Sequence, residues 1–184
     1  MAGPYPKHLL EQARQLATAE AGRPRQVSLR RAVSSAYYAL FHLLIRDAVR
    51  SLVPKSDPQL RLLLPRTFVH EEMATACRTF ASAGALPAVI QQVYPALRIP
   101  PKLREVAQAF VELQKARHDA DYATHRDWTR TMALTEVERA EQAFLDWEAI
   151  RPRTSAVSVL TAADRQAARL FLSWLAFQRK LQGR

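Results

Sequence analysis

Glycine is scarce in this chain of 184 residues, and its scarcity excludes the common phosphate-binding loops. Only four glycines occur, and neither a GxxxxGKS nor a GxGxxG segment is present. The single cysteine, Cys77, excludes an intramolecular disulfide and a zinc site made of several cysteines. No apolar run approaches the roughly 18 residues of a membrane helix, and the N-terminal segment turns charged too early for a signal peptide. These absences predict a cytoplasmic protein with no membrane partner.

Metal-binding patterns are also missing. The five histidines are scattered, and His70-Glu71-Glu72 lacks the second histidine of the HExxH zinc motif. We therefore expect neither a metal nor a cofactor.

Helix-forming residues dominate the sequence, and no alternating strand pattern is found. The sequence predicts an all-α, antiparallel bundle of about five or six helices, with a short helical turn at 88–93. The predicted helices cover about 6–20, 27–53, 65–81, 101–118 or slightly beyond, 127–150 and 158–181, with Asp127 as the N-cap of the fifth. We place a helical bundle over residues 1–152 and a basic, amphipathic C-terminal helix over 153–184. That last helix packs on its own bundle, on a dimer mate, or on a partner or membrane surface.

Positive charge is concentrated at the two ends of the chain. The formal net charge is +10, with +5 in residues 1–50, +6 in 151–184 and −3 in 101–150. This distribution suits a polyanion such as RNA. It also suits self-association of a basic face with an acidic one.

A polar stripe runs along the predicted second helix, which begins with RRAVSSAYYALFH. At 100° per residue, Arg31, Ser35, Tyr38 and His42 fall on one narrow face. The opposite face carries Val33, Tyr37, Leu40 and Leu44, which predicts a contact with the core. The stripe is either the solvated side of an amphipathic helix or one side of a binding site.

The predicted fourth helix continues its apolar face into two charged residues. Arg117 and Asp121 are spaced to form an i, i+4 ion pair if the helix extends that far, and they lie within KARHDADY, beside His118 and Tyr122. One interpretation is a structural salt bridge at a helix end. The other is an anion or phosphate site, because arginine binds phosphate through two nitrogens.

Arg66 and His70 form a third candidate, predicted to lie one turn apart on the third helix. They are either a surface feature at a helix N-terminus or a phosphate clamp with a proton shuttle.

Two segments together, LRRAVSSAYYALFHLL and ARHDADY, resemble the HEPN-like proteins, small prokaryotic helical bundles named for a nucleotide-binding domain. The resemblance covers about residues 7–150. It implies a homodimer with a site in a cleft between helices. Many members of that family are metal-independent RNA endonucleases of toxin–antitoxin or defence systems, while others are inactive scaffolds or partners of a minimal nucleotidyltransferase.

In the nuclease members of the family, four to six residues separate an arginine from the histidine that follows it. Counted from Arg117, those positions hold Tyr122, Ala123 and Thr124, whereas His118 is too near and His125 one step too far. This departure favours a binding or assembly protein that recognises RNA, a nucleotide or a protein partner. The alternative is a metal-independent ribonuclease in which Arg117 clamps the phosphate and a histidine, from His118, His125 or His42, moves the proton.

Overall fold

A computed structural model describes residues 5–151 and 161–183. Within these residues the regular structure is entirely helical, as predicted. The helices are α1 (Tyr5–Thr18), α2 (Gln26–Leu52), α3 (Pro58–Leu63), α4 (His70–Ala81), α5 (Ala88–Val93), α6 (Pro101–Tyr122), α7 (Arg130–Ile150) and α8 (Ala162–Leu181), with a 3₁₀ turn at Leu64–Thr67. Besides the six long helices predicted, the described part holds two helices of only six residues each. α5 coincides with the helical turn predicted at 88–93, whereas α3 was not predicted. None of the described helices combines the length and the apolar content that crossing a bilayer requires.

The chain divides into two compact units. The first unit comprises Met1–Leu43 and Ala109–Leu145, and the second comprises Leu44–Gln108 and Asp146–Arg184. Three long helices, α2, α6 and α7, contribute one part of their length to each unit.

In the first unit the core forms around the apolar face of α2. Val33, Tyr37 and Leu40 are fully buried, as the helical periodicity predicts, and the ring of Tyr37 packs edge-on against Phe110 of α6 at 5.5 Å. Small residues let the helices approach closely. Buried small and apolar residues of α1, α2, α6 and α7 join Trp128 in one cluster: Ala17, Leu29, Ala32, Val33, Ala116, Ala120 and Ala133.

In the second unit the C-terminal helix packs on α4. Phe171 of α8 contacts the rings of Phe80 at 5.1 Å and Trp147 at 6.0 Å. The side chain of Gln178 donates a hydrogen bond to the Glu72 carbonyl at 2.8 Å, and Arg179 pairs with the Glu72 carboxylate at 2.7 Å. The predicted start of this helix at residue 158 lies outside the described residues.

The predicted third helix is wrong in its first part. Instead of a helix from Pro65, the chain makes a 3₁₀ turn at Leu64–Thr67 and then two extended residues before α4 begins at His70. The extended backbone at Phe68 and Val69 buries the Phe68 ring and leaves Val69 half exposed.

The predicted N-cap of α7 is also wrong. The helix begins at Arg130 instead of directly after Asp127. The Met132 N–H donates to the hydroxyl of Thr129 at 3.1 Å, so Thr129 takes the capping role.

Candidate functional site

The polar stripe of α2 lies in the first unit and is only partly solvated. Arg31 is exposed, whereas Ser35, Tyr38 and His42 are each half-buried. A purely solvated helix face would leave all four side chains open to water. The half-buried part of the stripe must therefore be covered by other residues.

Arg117 and Asp121 of α6 meet the stripe at Tyr38. Because α6 continues to Tyr122, both residues lie on the helix, and Nε of Arg117 is 2.7 Å from Oδ2 of Asp121. This contact is an ion pair without an aligned hydrogen bond. On its other side, Nη2 of Arg117 donates to the hydroxyl of Tyr38 at 3.0 Å.

The second oxygen of Asp121 binds a residue that the sequence analysis did not select. The hydroxyl of Ser34 donates to Oδ1 of Asp121 at 2.6 Å, while the predicted Ser35 lies one residue further along α2. Ser34 precedes Tyr38 by four residues, just as Arg117 precedes Asp121. Two i, i+4 pairs on two helices thus form one network of four side chains.

Two tyrosine rings flank the Arg117 guanidinium. Its central carbon lies 5.6 Å from the ring centre of Tyr38 and 5.7 Å from that of Tyr122, within the range of a cation–π contact. Burial by itself lowers the pKa of the Arg117 guanidinium, but the Tyr38 hydroxyl and the nearby Asp121 carboxylate outweigh burial and raise that pKa. Arg117 is therefore a permanent cation, and 22% of its side chain is open to solvent.

The histidines adjoin these tyrosines. The ring of His42 stacks on Tyr38 at 6.3 Å and meets the ring of Tyr5 at 5.1 Å. The ring of His118 lies 4.9 Å from that of Tyr122. Successive contacts thus connect five rings through Arg117. The rings of Tyr5 and Tyr122 are more than half exposed.

Arg30 and Gln26 of α2 hold the chain that follows α6, and the sequence analysis singled out neither. Nη1 of Arg30 donates to the carbonyl of Ala120 at 2.8 Å, and Nη2 donates to the carbonyls of Ala123, Thr124 and Arg126 at 3.1, 3.3 and 2.6 Å. Gln26 exchanges two hydrogen bonds of 2.8 Å with the backbone of Trp128. These bonds fix the end of α6, one turn from Arg117.

A groove of about 410 Å³ lies on another side of α6, between α6 and α7. Its lining includes Trp128 and Met132, and two of its cations already have acidic partners. Arg126 pairs with Asp119 at 2.7 Å, and Arg139 pairs with Glu136 at 3.0 Å and with Glu112. The lining of the groove therefore carries side chains of both charge signs, including the exposed Lys115.

Arg66 and His70 belong to the second unit. Arg66 is exposed in the 3₁₀ turn, and His70 is the first residue of α4. The prediction that they lie one turn apart on a helix is wrong, because the extended residues Phe68 and Val69 separate them.

Among residues 5–151 and 161–183, no three His, Cys, Asp or Glu side chains gather where they could hold a metal ion. Comparisons with protein-family models, with curated proteins and with solved structures give no match. The function must therefore be argued from the geometry of the site itself.

Proposed function

We propose that this chain is a HEPN-like binding module whose surface around Arg117 recognises single-stranded RNA. The observation that carries the proposal is the position of Arg117, a partly exposed guanidinium between two tyrosine rings. Single-stranded RNA is bound by this combination, since bases stack on aromatic rings and phosphates pair with arginine. The exposed rings of Tyr5 and Tyr122 extend the surface on which bases would stack.

Binding at this surface is an exchange of anions. In the free protein the Asp121 carboxylate neutralises Arg117, and an RNA phosphate would take its place on the guanidinium. The Tyr38 hydroxyl and the ring contacts keep Arg117 in position during the exchange. Asp121 therefore competes with RNA, although it also orders the site.

Because of this competition, we expect two substitutions to change the affinity for RNA in opposite directions. We expect Arg117→Gln to weaken the binding of a labelled single-stranded RNA by about tenfold, the loss of one charge-assisted contact. Asp121→Asn keeps the shape of the side chain and removes the competing charge, so we expect it to tighten binding several-fold. Fluorescence anisotropy measures both.

Arg23→Gln is the matched control, because Arg23 is an exposed arginine of the same unit and its loss changes the net charge equally. Circular dichroism checks that each variant is folded. Equal affinities for the Arg117→Gln, Arg23→Gln and wild-type proteins would refute the proposed site.

A second candidate function is a metal-independent ribonuclease, and one observation favours it. Each tyrosine that flanks Arg117 also contacts a histidine ring, His42 on one side and His118 on the other. In that reaction the 2′-oxygen bonds to the adjacent phosphorus and the bond from phosphorus to the 5′-oxygen breaks. A histidine moves the proton from the 2′-OH to the departing 5′-oxygen, which leaves as a 5′-hydroxyl. Arg117 would stabilise the charge that develops on the phosphate.

A cleavage assay distinguishes RNA binding alone from ribonuclease activity. Incubation of RNA with the purified protein and EDTA should leave the RNA intact if the protein only binds. Products that end in a 2′,3′-cyclic phosphate, lost in His118→Ala or His42→Ala, would establish the nuclease instead. The HEPN-like resemblance also implies a homodimer. Sedimentation equilibrium of the protein without RNA tests this expectation.

A further inference from the structure

The short helix α3 of the second unit displays its leucines to solvent. None of its six residues, Pro58–Leu63, is buried. Leu60 is 42% exposed, Leu62 69% and Leu63 57%. Val69, beyond the 3₁₀ turn, adds another large apolar side chain that is 51% exposed. Large apolar residues concentrated in so short a stretch indicate an interaction site.

Polar contacts hold α3 in place without a contribution from the core. A six-residue helix is too short to be stable by itself, and this one is fixed at both ends. The Asp57 carboxylate caps the Leu60 N–H at 2.9 Å, and Nη2 of Arg61 donates to the Val53 carbonyl at 2.7 Å. The leucines are therefore presented on an ordered helix, although they contribute little to folding.

Basic residues precede and follow α3 in the sequence. Arg50, Lys55 and Arg66 are all exposed, and the one acidic residue between positions 50 and 66, Asp57, is used as the cap. The second unit carries sixteen basic and eight acidic residues, a net charge of +8, against +2 for the first unit. A binding partner must therefore offer apolar side chains bordered by negative charge.

We infer that α3 docks an acidic, amphipathic helix of a partner protein. A symmetric contact between two copies is disfavoured, because it would place the same basic residues against each other. A bilayer surface is also disfavoured, since membrane-bound helices are longer and carry aromatic anchors, whereas α3 has six residues and no aromatic ring. The inference is independent of the proposed RNA site, which lies in the first unit.

The test uses the full chain and a synthetic peptide. The probe is an 18-residue helix with leucines along one face and glutamates elsewhere, compared with a peptide of the same composition in scrambled order. We expect the amphipathic peptide to bind with a Kd of about 10 µM, typical of a small, transient contact. Leu62→Glu with Leu63→Glu should weaken binding at least tenfold, and so should Lys55→Glu with Arg66→Glu.

Leu145→Glu is the matched control, because Leu145 is a leucine of the first unit with 65% exposure. It should leave peptide binding unchanged. Circular dichroism and thermal denaturation show that the α3 variants remain folded. Peptide binding that is absent, independent of Leu62 and Leu63, or equal for the scrambled peptide would overturn the inference.

Two further measurements would reveal a different binding partner at the α3 surface. Association of the chain with itself in sedimentation equilibrium, lost in the leucine double variant, would assign α3 to contacts between copies. Binding to phosphatidylserine vesicles that needs the same leucines would assign it to a membrane surface. Either result overturns the acidic helix as the occupant of this surface.

Discussion

Asp47 is a buried carboxylate of the second unit with three partners. The indole N–H of Trp147 donates to it at 2.9 Å, Nε of Arg46 donates at 2.8 Å, and Nη1 of Arg151 lies 3.5 Å away. Only 8% of the residue is exposed. The carboxylate therefore links α2 to the end of α7 within this unit.

Removal of this carboxylate should be costly. We expect Asp47→Ala to lower the free energy of unfolding by about 3 kcal/mol, because the buried indole N–H and two guanidinium groups lose their acceptor. Asp47→Asn keeps an acceptor oxygen and should cost less. Urea denaturation measures both, with Asp127→Ala as the control at an exposed carboxylate. A loss no larger than that of the control would contradict the role given to Asp47.

Cys77 reports on unfolding of the second unit. Its side chain is fully buried, and burial raises the pKa of the thiol well above the ordinary value. The thiolate, which is the reactive form, is therefore suppressed in the folded protein. We expect no reaction with a disulfide reagent such as DTNB at pH 8 in the native state, and full reaction of one thiol in urea. Rapid native labelling would contradict the burial of Cys77.

Single-residue reasoning found part of the site. The i, i+4 spacing of Arg117 and Asp121 predicts their pairing, and the structure contains that pair. It could not identify Arg30, because nothing in the sequence shows which arginine reaches the carbonyls after α6. It also could not separate Ser34 from Ser35, since a rotation of 100° about the helix decides which of them meets Asp121.

The start of α8 shows how the local sequence determines where a helix begins. Thr161 precedes the helix, its hydroxyl accepts from the Asp164 N–H at 3.1 Å, and the Asp164 carboxylate accepts from the Thr161 N–H at 3.2 Å. This reciprocal pair is a capping box. The local sequence therefore specifies where the described helix begins.

We expect Thr161→Ala to lower the free energy of unfolding by about 1 kcal/mol, because the hydroxyl acceptor is lost. Thr161→Ser should restore most of that stability. Thermal denaturation of both variants provides the measurement, and Thr131→Ala, at an exposed threonine of α7, is the control. If alanine and serine behave alike at position 161, the cap does not stabilise α8.

The sequence predicted α1, α2 and α5 well but missed α3 and the extended residues before α4. The bounds of α1, α2 and α5 agree with the predictions to within two residues. The prediction fails between residues 64 and 69, where the backbone at Phe68 and Val69 is extended and the Phe68 ring is buried. Helix propensity is a weak guide wherever the tertiary context overrides it.

At the scale of the whole molecule, most of the net positive charge belongs to the second unit, whereas the proposed site belongs to the first. The second unit has a net charge of +8, while Arg117 belongs to the first. Contacts with phosphate groups make RNA affinity fall as salt rises. We therefore expect the net positive charge of the second unit to contribute a sequence-independent attraction for RNA.

Salt dependence should separate these two contributions. We expect the logarithm of RNA affinity to fall linearly with the logarithm of salt concentration for the wild type. For Arg117→Gln the line should lie lower, with a slope smaller by about one, the value for one lost phosphate contact. Anisotropy titrations at several potassium chloride concentrations provide the data. A line that coincides with that of the wild type would show that Arg117 makes no contact with a phosphate group.

Arg30 and Arg31 are adjacent and chemically identical, yet the structure sets different limits on how each can vary as the sequence evolves. Arg31 is exposed, so lysine or glutamine can replace it at little cost. Arg30 reaches four carbonyls with two nitrogens, and lysine has one nitrogen and no planar fork. Selection at position 30 therefore acts on the shape of the side chain and not only on its charge. Related sequences that keep the loop after α6 should keep arginine at position 30, whereas position 31 should vary.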